Sequence, residues 1–270
     1  MSAVEWGYNE SNGPSTWVKN FPTAAGSRQS PVDIVTSLAT SDTSLTSKPL
    51  NWKYVPENTR EIINTGHGWR VDVKGEGSEL IGGPLEDSYR LQQFHCHWGF
   101  QSDKGSEHTV DGQPFAGELH LVHWNKNKYA NCGEAAAFAD GLAVLGVLLK
   151  VGKENPELQK IVEHIPSIYH RGQKTAIKEP IDPAKLLPGT FSYWTYLGSL
   201  TTPPCSESVT WILFKEPIEV SEEQLSAFRS LRCYKPEEAC PCDELEGLVI
   251  NNYRPPLPLG NRELRECGSV

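Results

Sequence analysis

The sequence predicts a mainly β fold of the α+β type, a single domain over residues 1–270 with a dominant sheet and short peripheral helices. Twenty prolines and twenty-three glycines divide the 270 residues into short pieces, and both residue types interrupt regular elements. Most pieces are rich in β-branched, aromatic and apolar residues, a composition that favours strands. A chain of this length suits one large domain.

The predicted strands follow one another at short intervals along the whole chain. In order, the strand-like stretches are 62–63, 69–73, 89–97, 119–124, 142–151, 191–196 and 209–214. A serine- and threonine-rich stretch, 36–47, comes nearest to low complexity and is predicted to be a polar surface segment. No internal repeat or linker interrupts this pattern, which agrees with one domain.

Helix start signals occur at two places. Asn155 followed by Pro156 places a preferred N-cap before a proline at the first helical position, and spaced apolar residues follow over 158–165. Ser221 with Gln224 three residues later forms a capping box. Both predicted helices are short, so they are expected at the edge of a sheet-dominated domain.

Charge and apolar patterning exclude several classes of partner. The net charge is −9 without a basic cluster, so nucleic acid and anionic membranes are not expected partners. Residues 1–12 lack an apolar signal-peptide core, and the longest apolar run, 142–149, is far shorter than the ~20 residues that span a bilayer. Residues 262–270 are charged and form no anchor tail. We therefore expect a cytoplasmic protein.

The cysteines favour the same compartment. Seven cysteines are an odd number, which fits a reducing environment better than a disulfide framework. Cys240-Pro241-Cys242 resembles a metal motif, but no second pair stands at zinc-finger spacing. We do not expect metal there, and the redox state of Cys240 and Cys242 stays open.

The chemistry of the chain is expected at three histidines. His95 and His97 alternate on one predicted strand and project on the same side, and His120 lies on another predicted strand. If the strands are neighbours, three neutral imidazoles without a fourth protein ligand describe a catalytic zinc site, because the vacant position holds water. Gln93 shares a face with His95 and Glu118 with His120, and metal-bound imidazoles usually give their second N–H to such acceptors.

Other interpretations of these histidines stay open at this point. A lone His-x-His is weak evidence for metal, and ligands of this kind also accept Cu²⁺ or Co²⁺ in vitro. His123 is out of phase with His120 and is expected on the other side of the sheet.

At these residues the chain resembles a known family, the α-class carbonic anhydrases of the animal cytosolic type. The matching blocks appear in family order over nearly the whole chain: 6–8, 12–14, 28–34, 66–67, 105–111, 141–146, 193–196, 198–204 and 252–255. The resemblance implies a large, twisted, mostly antiparallel central sheet of about ten strands. It also implies one zinc ion per chain and reversible hydration of CO₂ to bicarbonate and a proton by attack of zinc-bound hydroxide.

The resemblance assigns roles to further residues. Thr201 and Glu107 match a pair that orients the hydroxide, and His67 matches a proton shuttle. An unperturbed imidazole pKa near 6.5 suits that task. The remaining matches are an apolar CO₂ slot of Val122, Val144, Leu200 and Trp211, a bicarbonate contact at Thr202, and an outer contact to the metal ligands at Asn252.

The chain departs from the family pattern around His67. Thr65 and Arg70 stand at rim positions that are often Asn, and Gln92 and Cys132 replace bulkier apolar residues. We expect Arg70 to disfavour protonated His67 through charge repulsion. These departures affect the proton-transfer rate and the inhibitor profile rather than the reaction.

The family also predicts the state of Cys205. Secreted relatives often bridge this position to a cysteine near the N-terminal Phe-Pro segment, but residues 20–24 contain no thiol. Cys205 is therefore expected to be free.

Two other function classes compete with the zinc enzyme. Relatives that have lost zinc ligands are non-catalytic binding modules, but all three histidines are intact here. A zinc esterase would use the same nucleophile, yet nothing resembles a dedicated acyl pocket. CO₂ and bicarbonate are thus the expected partners, and a monomer is the default.

Overall fold

The computed structural model describes residues 4–268, and strands form most of the regular structure in this range. The strands are β1 (Asp33–Ile34), β2 (Thr40–Ser41), β3 (Asn51–Lys53), β4 (Thr59–Asn64), β5 (Trp69–Val73), β6 (Glu79–Ile81), β7 (Tyr89–Trp98), β8 (Thr109–Val110), β9 (Gly117–Asn125), β10 (Leu142–Val151), β11 (Lys174–Ala176), β12 (Tyr193–Gly198), β13 (Val209–Phe214), β14 (Ile218–Val220) and β15 (Arg265–Cys267). The α-helices are α1 (Thr43–Ser47), α2 (Cys132–Ala135), α3 (Pro156–Val162) and α4 (Glu222–Phe228). Short 3-10 helices occupy Pro14–Lys19, Pro22–Ala25, Thr36–Leu38, Pro56–Asn58, Ile165–Ser167 and Pro183–Leu186.

One large sheet organises the described residues. It has 13 strands, with the main path β11-β4-β5-β7-β9-β10-β13-β12-β15-β2 and with β14, β3 and β6 beside this path. Most neighbours are antiparallel, but β10 pairs in parallel with β13 and β14, and β15 pairs in parallel with β2. The predicted sheet-dominated fold is confirmed, although the sheet is mixed and larger than the ten strands expected.

Alternate residues of the central strands pack on opposite faces of this sheet. On β10, Ala143, Leu145 and Val147 belong to one apolar cluster, whereas Leu142 and Val144 belong to a second. Because both faces are covered, all nine residues of β9 are buried. Strands that are buried on both faces have continuous apolar sequences, and for this reason β10 contains the longest apolar run of the chain.

The predicted bounds of three strands agree with the structure. Residues 69–73, 142–151 and 209–214 form β5, β10 and β13 with the predicted bounds. The prediction for 191–196 is wrong at its start, because Phe191 is 60% exposed and β12 begins only at Tyr193. The two- and three-residue strands around the sheet went unpredicted, since so few residues carry no periodicity.

Both predicted helices are present with their capping residues. The Asn155 side chain accepts from the backbone N–H groups of Glu157 and Leu158 at the start of α3. At α4, the Ser221 side chain accepts from the Gln224 N–H, and the Gln224 side chain accepts from the Ser221 N–H. These reciprocal bonds satisfy donors that a helix start leaves unpaired.

The 36–47 segment combines an exposed surface with local structure. Most of its residues are exposed, as predicted, but it contains a 3-10 helix, β2 and α1. Asp42 caps α1 by accepting from the Ser44 N–H, and Leu45 is buried. The polar composition therefore did not predict β2 and α1, and Leu45 is the one buried residue of this segment.

The cysteines are all free, including the buried Cys205 and the exposed Cys240 and Cys242. In residues 4–268 no helix combines the length and the apolar character needed to cross a bilayer.

Candidate metal centre

Two neighbouring strands bring the three predicted histidines together. His95 on β7 lies directly opposite His120 on β9, and cross-strand partners share a face. His97 lies two residues after His95 on that face. The potential ligand atoms of the three rings all lie within 4.8 Å of one another. His123 is on the opposite face, as its phase predicts, and its Nε2 lies 2.8 Å from the Tyr54 hydroxyl.

Each ring has one nitrogen fixed by an acceptor outside the cluster. The three contacts are His95 Nδ1 to Gln93 Oε1 at 2.7 Å, His97 Nδ1 to the Asn252 carbonyl at 2.7 Å, and His120 Nε2 to Glu118 Oε2 at 2.5 Å. Amide, carbonyl and ionised carboxylate oxygens only accept, so the hydrogen of each neutral ring lies on this outer nitrogen. The inner nitrogens of the three rings therefore present lone pairs to one another.

These inner nitrogens fit a tetrahedral zinc ion. His97 Nε2 lies 3.2 Å from His120 Nδ1, and two nitrogen ligands of a tetrahedral zinc lie about 3.3 Å apart. Burial lowers the pKa values of His95 and His97, which keeps both rings neutral and able to coordinate. The Glu107 Oε1 atom is buried 3.1 Å from His97 Nε2, and no residue within 4–268 forms a hydrogen bond with it. Lone pairs this close are repulsive unless a cation lies among them.

Glu118 forms the shortest of the three outer contacts. Its Oε1 accepts from the backbone N–H groups of Glu107 and His108, and its Oε2 lies 2.8 Å from His108 Nδ1. Burial raises the pKa of this carboxyl, but His108 and His120 outweigh that effect and hold it well below its usual range. His108, Glu118 and His120 also cluster closely enough for a metal, but their facing atoms are already hydrogen-bonded to one another.

The sequence analysis missed the continuation of this network. His108 Nε2 lies 2.6 Å from the Tyr196 hydroxyl, which donates to Ser30 Oγ at 2.9 Å. Ser30 Oγ also accepts from the Ser199 N–H, two residues before Thr201. The blocks 105–111 and 193–196 had marked His108 and Tyr196, but only the fold shows that they meet.

Glu107 and Thr201 are both buried. Glu107 is fully buried, and its Oε2 accepts from the Arg254 N–H at 2.7 Å. Thr201 is 5% exposed. Within residues 4–268 the structure contains no hydrogen bond between Thr201 and Glu107, and the Oε1 acceptor of Glu107 lies beside His97 Nε2.

The predicted apolar slot is continuous across three strands. Val122 of β9 faces Val144 of β10, and Val144 faces Trp211 of β13. All three are buried, and the Trp211 ring centroid lies 4.8 Å from that of His120. Leu200 is half-buried and packs against the same cluster. The sheet therefore places an apolar wall directly beside the histidines.

A cleft of about 170 Å³ opens onto the metal centre. The residues that line it include His95, His97, Thr202, Thr65 and His67.

His67 lies against the N-terminal segment. Its ring stacks on Trp6 with centroids 3.6 Å apart, and its Nε2 donates to the Trp6 carbonyl at 2.9 Å. Burial lowers its pKa, the Trp6 carbonyl partly offsets this, and the Arg171 charge lowers it further. The prediction that Arg70 exerts this repulsion is wrong. Arg70 lies on β5 and pairs with Asp72 at 2.7 Å.

The remaining departures lie at the periphery. Gln92 is exposed at a bulge between β7 and β9. Cys132 is half-buried at the first residue of α2, where burial raises its pKa to about 11.

Comparisons with known proteins cover nearly the whole chain. A family model described as eukaryotic-type carbonic anhydrase matches residues 12–268. Carbonic anhydrase 1 of Mus musculus is 50% identical over 268 residues, which cover 98% of this chain and 99% of that protein.

Proposed function

We propose that this chain, which belongs to the eukaryotic-type carbonic anhydrase family, hydrates CO₂ reversibly to bicarbonate and a proton with one zinc ion held by His95, His97 and His120. One observation carries the assignment of these ligands. Three neutral imidazoles converge with their inner lone pairs, and each outer N–H is fixed by a separate acceptor. This donor set fits zinc with an open fourth position.

The bound ion would supply Lewis-acid chemistry. Carbonic anhydrases are the standard example, in which zinc lowers the pKa of a water to near 7 and so provides a nucleophile at neutral pH. The chain supplies the fixed ligands, the neighbouring dry slot and the route for the proton.

Val122, Val144 and Trp211 would bind CO₂. Their buried side chains face one another across neighbouring strands, and an uncharged apolar substrate needs no ionic clamp. The one polar group among them, the Trp211 indole N–H, already donates to the Ser199 carbonyl. The slot therefore favours CO₂ over water.

Glu107 and Thr201 would select ligands that carry a proton. An ionised Glu107 only accepts, and its Oε1 has no other partner in the described chain. If the Thr201 hydroxyl donates to this oxygen, its own oxygen can only accept from a ligand in the cleft. Protonated ligands are then preferred over bare anions, and Thr202 would contact the bicarbonate product.

His67 would move the released proton. Its Nε2 hydrogen is engaged by the Trp6 carbonyl, so Nδ1 is the atom that accepts. Because burial lowers its pKa, the ring is neutral and ready to accept at neutral pH.

Zinc analysis together with stopped-flow CO₂ hydration tests the function directly. We expect one zinc per chain, loss of hydration when a chelator removes it, and recovery when zinc returns. Hydration that persists in zinc-free protein would overturn the assignment. The single domain over 1–270, the cytoplasmic location and the monomeric state belong to the same proposal.

A further inference from the structure

Arg70 lies on the wall of the cleft, beside the metal centre. Its strand β5 is antiparallel to β7, and Arg70 is the direct cross-strand partner of His95. Side chains of such partners lie on the same face, with their Cβ atoms about 5 Å apart. Arg70 also lines the cleft together with His95 and Thr202. A ligand held at the histidines therefore passes within reach of the guanidinium.

The charge of Arg70 is distinctive within this cleft. Among the described residues that line the space, Arg70 is the only side chain that carries a full charge at neutral pH. Its partner, Asp72, lies two residues further along β5 and opposite Gln93, outside the lining. The wall thus presents a cation whose counter-ion lies on the same face of β5 but outside the cleft lining.

The hydrogen-bond donors of Arg70 are only partly used. Nε and Nη2 donate to the two Asp72 oxygens at 2.7 and 3.4 Å. Nη1 makes no hydrogen bond to any residue within 4–268. The Arg70 side chain is 39% exposed, so the free donors are accessible from the cleft. A guanidinium with free donors binds carboxylates in a fixed, directional geometry.

We propose that Arg70 forms an anion subsite on the cleft wall, which selects ligands that carry a carboxylate on the end remote from the metal. Asp72 is the counter-ion of this subsite and competes with a ligand for the guanidinium. This proposal rests on the proposed zinc function in one respect: the zinc ion would hold the other end of the ligand in the cleft.

Two matched pairs of probes test the subsite by calorimetry on the zinc-loaded protein. The probes are 3- and 4-carboxybenzenesulfonamide and the corresponding uncharged carboxamides. In each pair the anchor and the shape are the same, so the ratio of their dissociation constants reports the charge alone. The variants are Arg70→Gln, which keeps much of the side-chain volume, and Asp72→Asn, which keeps Arg70 but removes its counter-ion.

Arg70→Gln should weaken at least one carboxylate probe about three- to tenfold relative to its carboxamide, as expected for a charge-assisted contact at a partly exposed site. Asp72→Asn should strengthen the same probe, since it removes the competing negative charge and one of the two acceptor oxygens. Added salt should narrow the wild-type preference. Carboxamide binding should change little in both variants, which shows that the fold and the anchor are intact.

An unchanged carboxylate-to-carboxamide ratio for both pairs in Arg70→Gln would overturn the subsite. Failure of all four probes to bind the wild-type protein would instead count against the zinc anchor itself. The two failures are therefore distinguishable.

Discussion

The proposed metal centre and the proposed proton relay are built in opposite ways. His95, His97 and His120 project from two hydrogen-bonded strands in the middle of the sheet, and each ring has its own acceptor. His67 lies in the turn between β4 and β5, where Gly66 has φ +87°. A Cβ on Gly66 would lie 2.4 Å from the Arg171 Cδ atom.

The difference follows from what each region must do. Ligands must hold a fixed geometry, and rigid strands provide it better than loops. A relay must accept a proton on one side and release it on another, which a ring held by one stacking partner and one carbonyl allows. Asn252 joins the regions, since its carbonyl accepts from His97 and its Nδ2 donates to the His67 carbonyl.

The largest effect should come from His97→Ala. The other two imidazoles cannot complete a three-ligand site, so zinc affinity should fall by more than the 10–100-fold that loss of an outer partner costs, and hydration should be abolished. Metal analysis and stopped-flow assays measure both. His170→Ala is a matched control, because His170 contacts Arg232 outside the centre. Full zinc occupancy with undiminished activity in His97→Ala would refute the ligand set.

Val144→Tyr should separate zinc binding from substrate binding. The added ring fills the slot between Val122 and Trp211, so hydration should fall on the order of 10²-fold, as expected for displacement of a substrate from its reactive position. Zinc content should stay at one per chain. Val144→Ile should give a smaller loss in the same direction. If Val144→Tyr retains wild-type kcat/KM, the substrate binds elsewhere.

Thr201→Val tests the proposed pairing with Glu107. An ionised primary sulfonamide would donate its N–H to Thr201 Oγ1, so loss of this acceptor should weaken binding by about 1.5–3 kcal/mol, typical of hydrogen bonds to charged groups. Simple anions should bind more tightly. Thr195→Val is the control, since the Thr195 hydroxyl is buried without a hydrogen-bond partner in the described chain. Tighter sulfonamide binding by Thr201→Val would argue against the proposed pairing of Thr201 with Glu107.

What the sequence could predict depended on the range of the interaction. Strand periodicity predicts on which face His95, His97 and His120 project. The family resemblance predicts that the two distant segments that carry them lie side by side. The contacts of Tyr196 with His108 and Ser30 join residues 88 and 166 positions apart, and no local pattern encodes them. The pairing of Arg70 with Asp72 is local, because residues two apart on a strand share a face. Considering the charge of Arg70 without that neighbour led to the wrong expectation for His67.

The smallest effect should come from the relay. His67→Ala should lower kcat in weak buffer by about tenfold, less than the 10²–10⁴ typical of positioned acid–base groups because water and buffer partly replace the ring. The ratio kcat/KM should be preserved, because hydration and proton export are separate steps. Imidazole buffer should restore much of the loss. If His67→Ala changes nothing and imidazole accelerates neither form, the proton leaves by another route.

The pH dependence of the relay tests the contact with Trp6. Burial lowers the pKa of His67 in the folded protein, so the wild-type profile of kcat in weak buffer should have its midpoint below the ordinary value near 6.5. Trp6→Ala removes the stacked ring and admits water, which stabilises the protonated form, so the midpoint should move to higher pH. The Trp6 carbonyl is unaffected by the side-chain change and continues to accept from Nε2. Arg171→Gln should also move the midpoint to higher pH, but by a smaller amount, since the Arg171 charge lowers the His67 pKa less than burial does. Arg70→Gln should leave the midpoint unchanged, because Arg70 is paired with Asp72. A midpoint that responds to Arg70→Gln but not to Trp6→Ala would show that the ring works from a position other than the one stacked on Trp6.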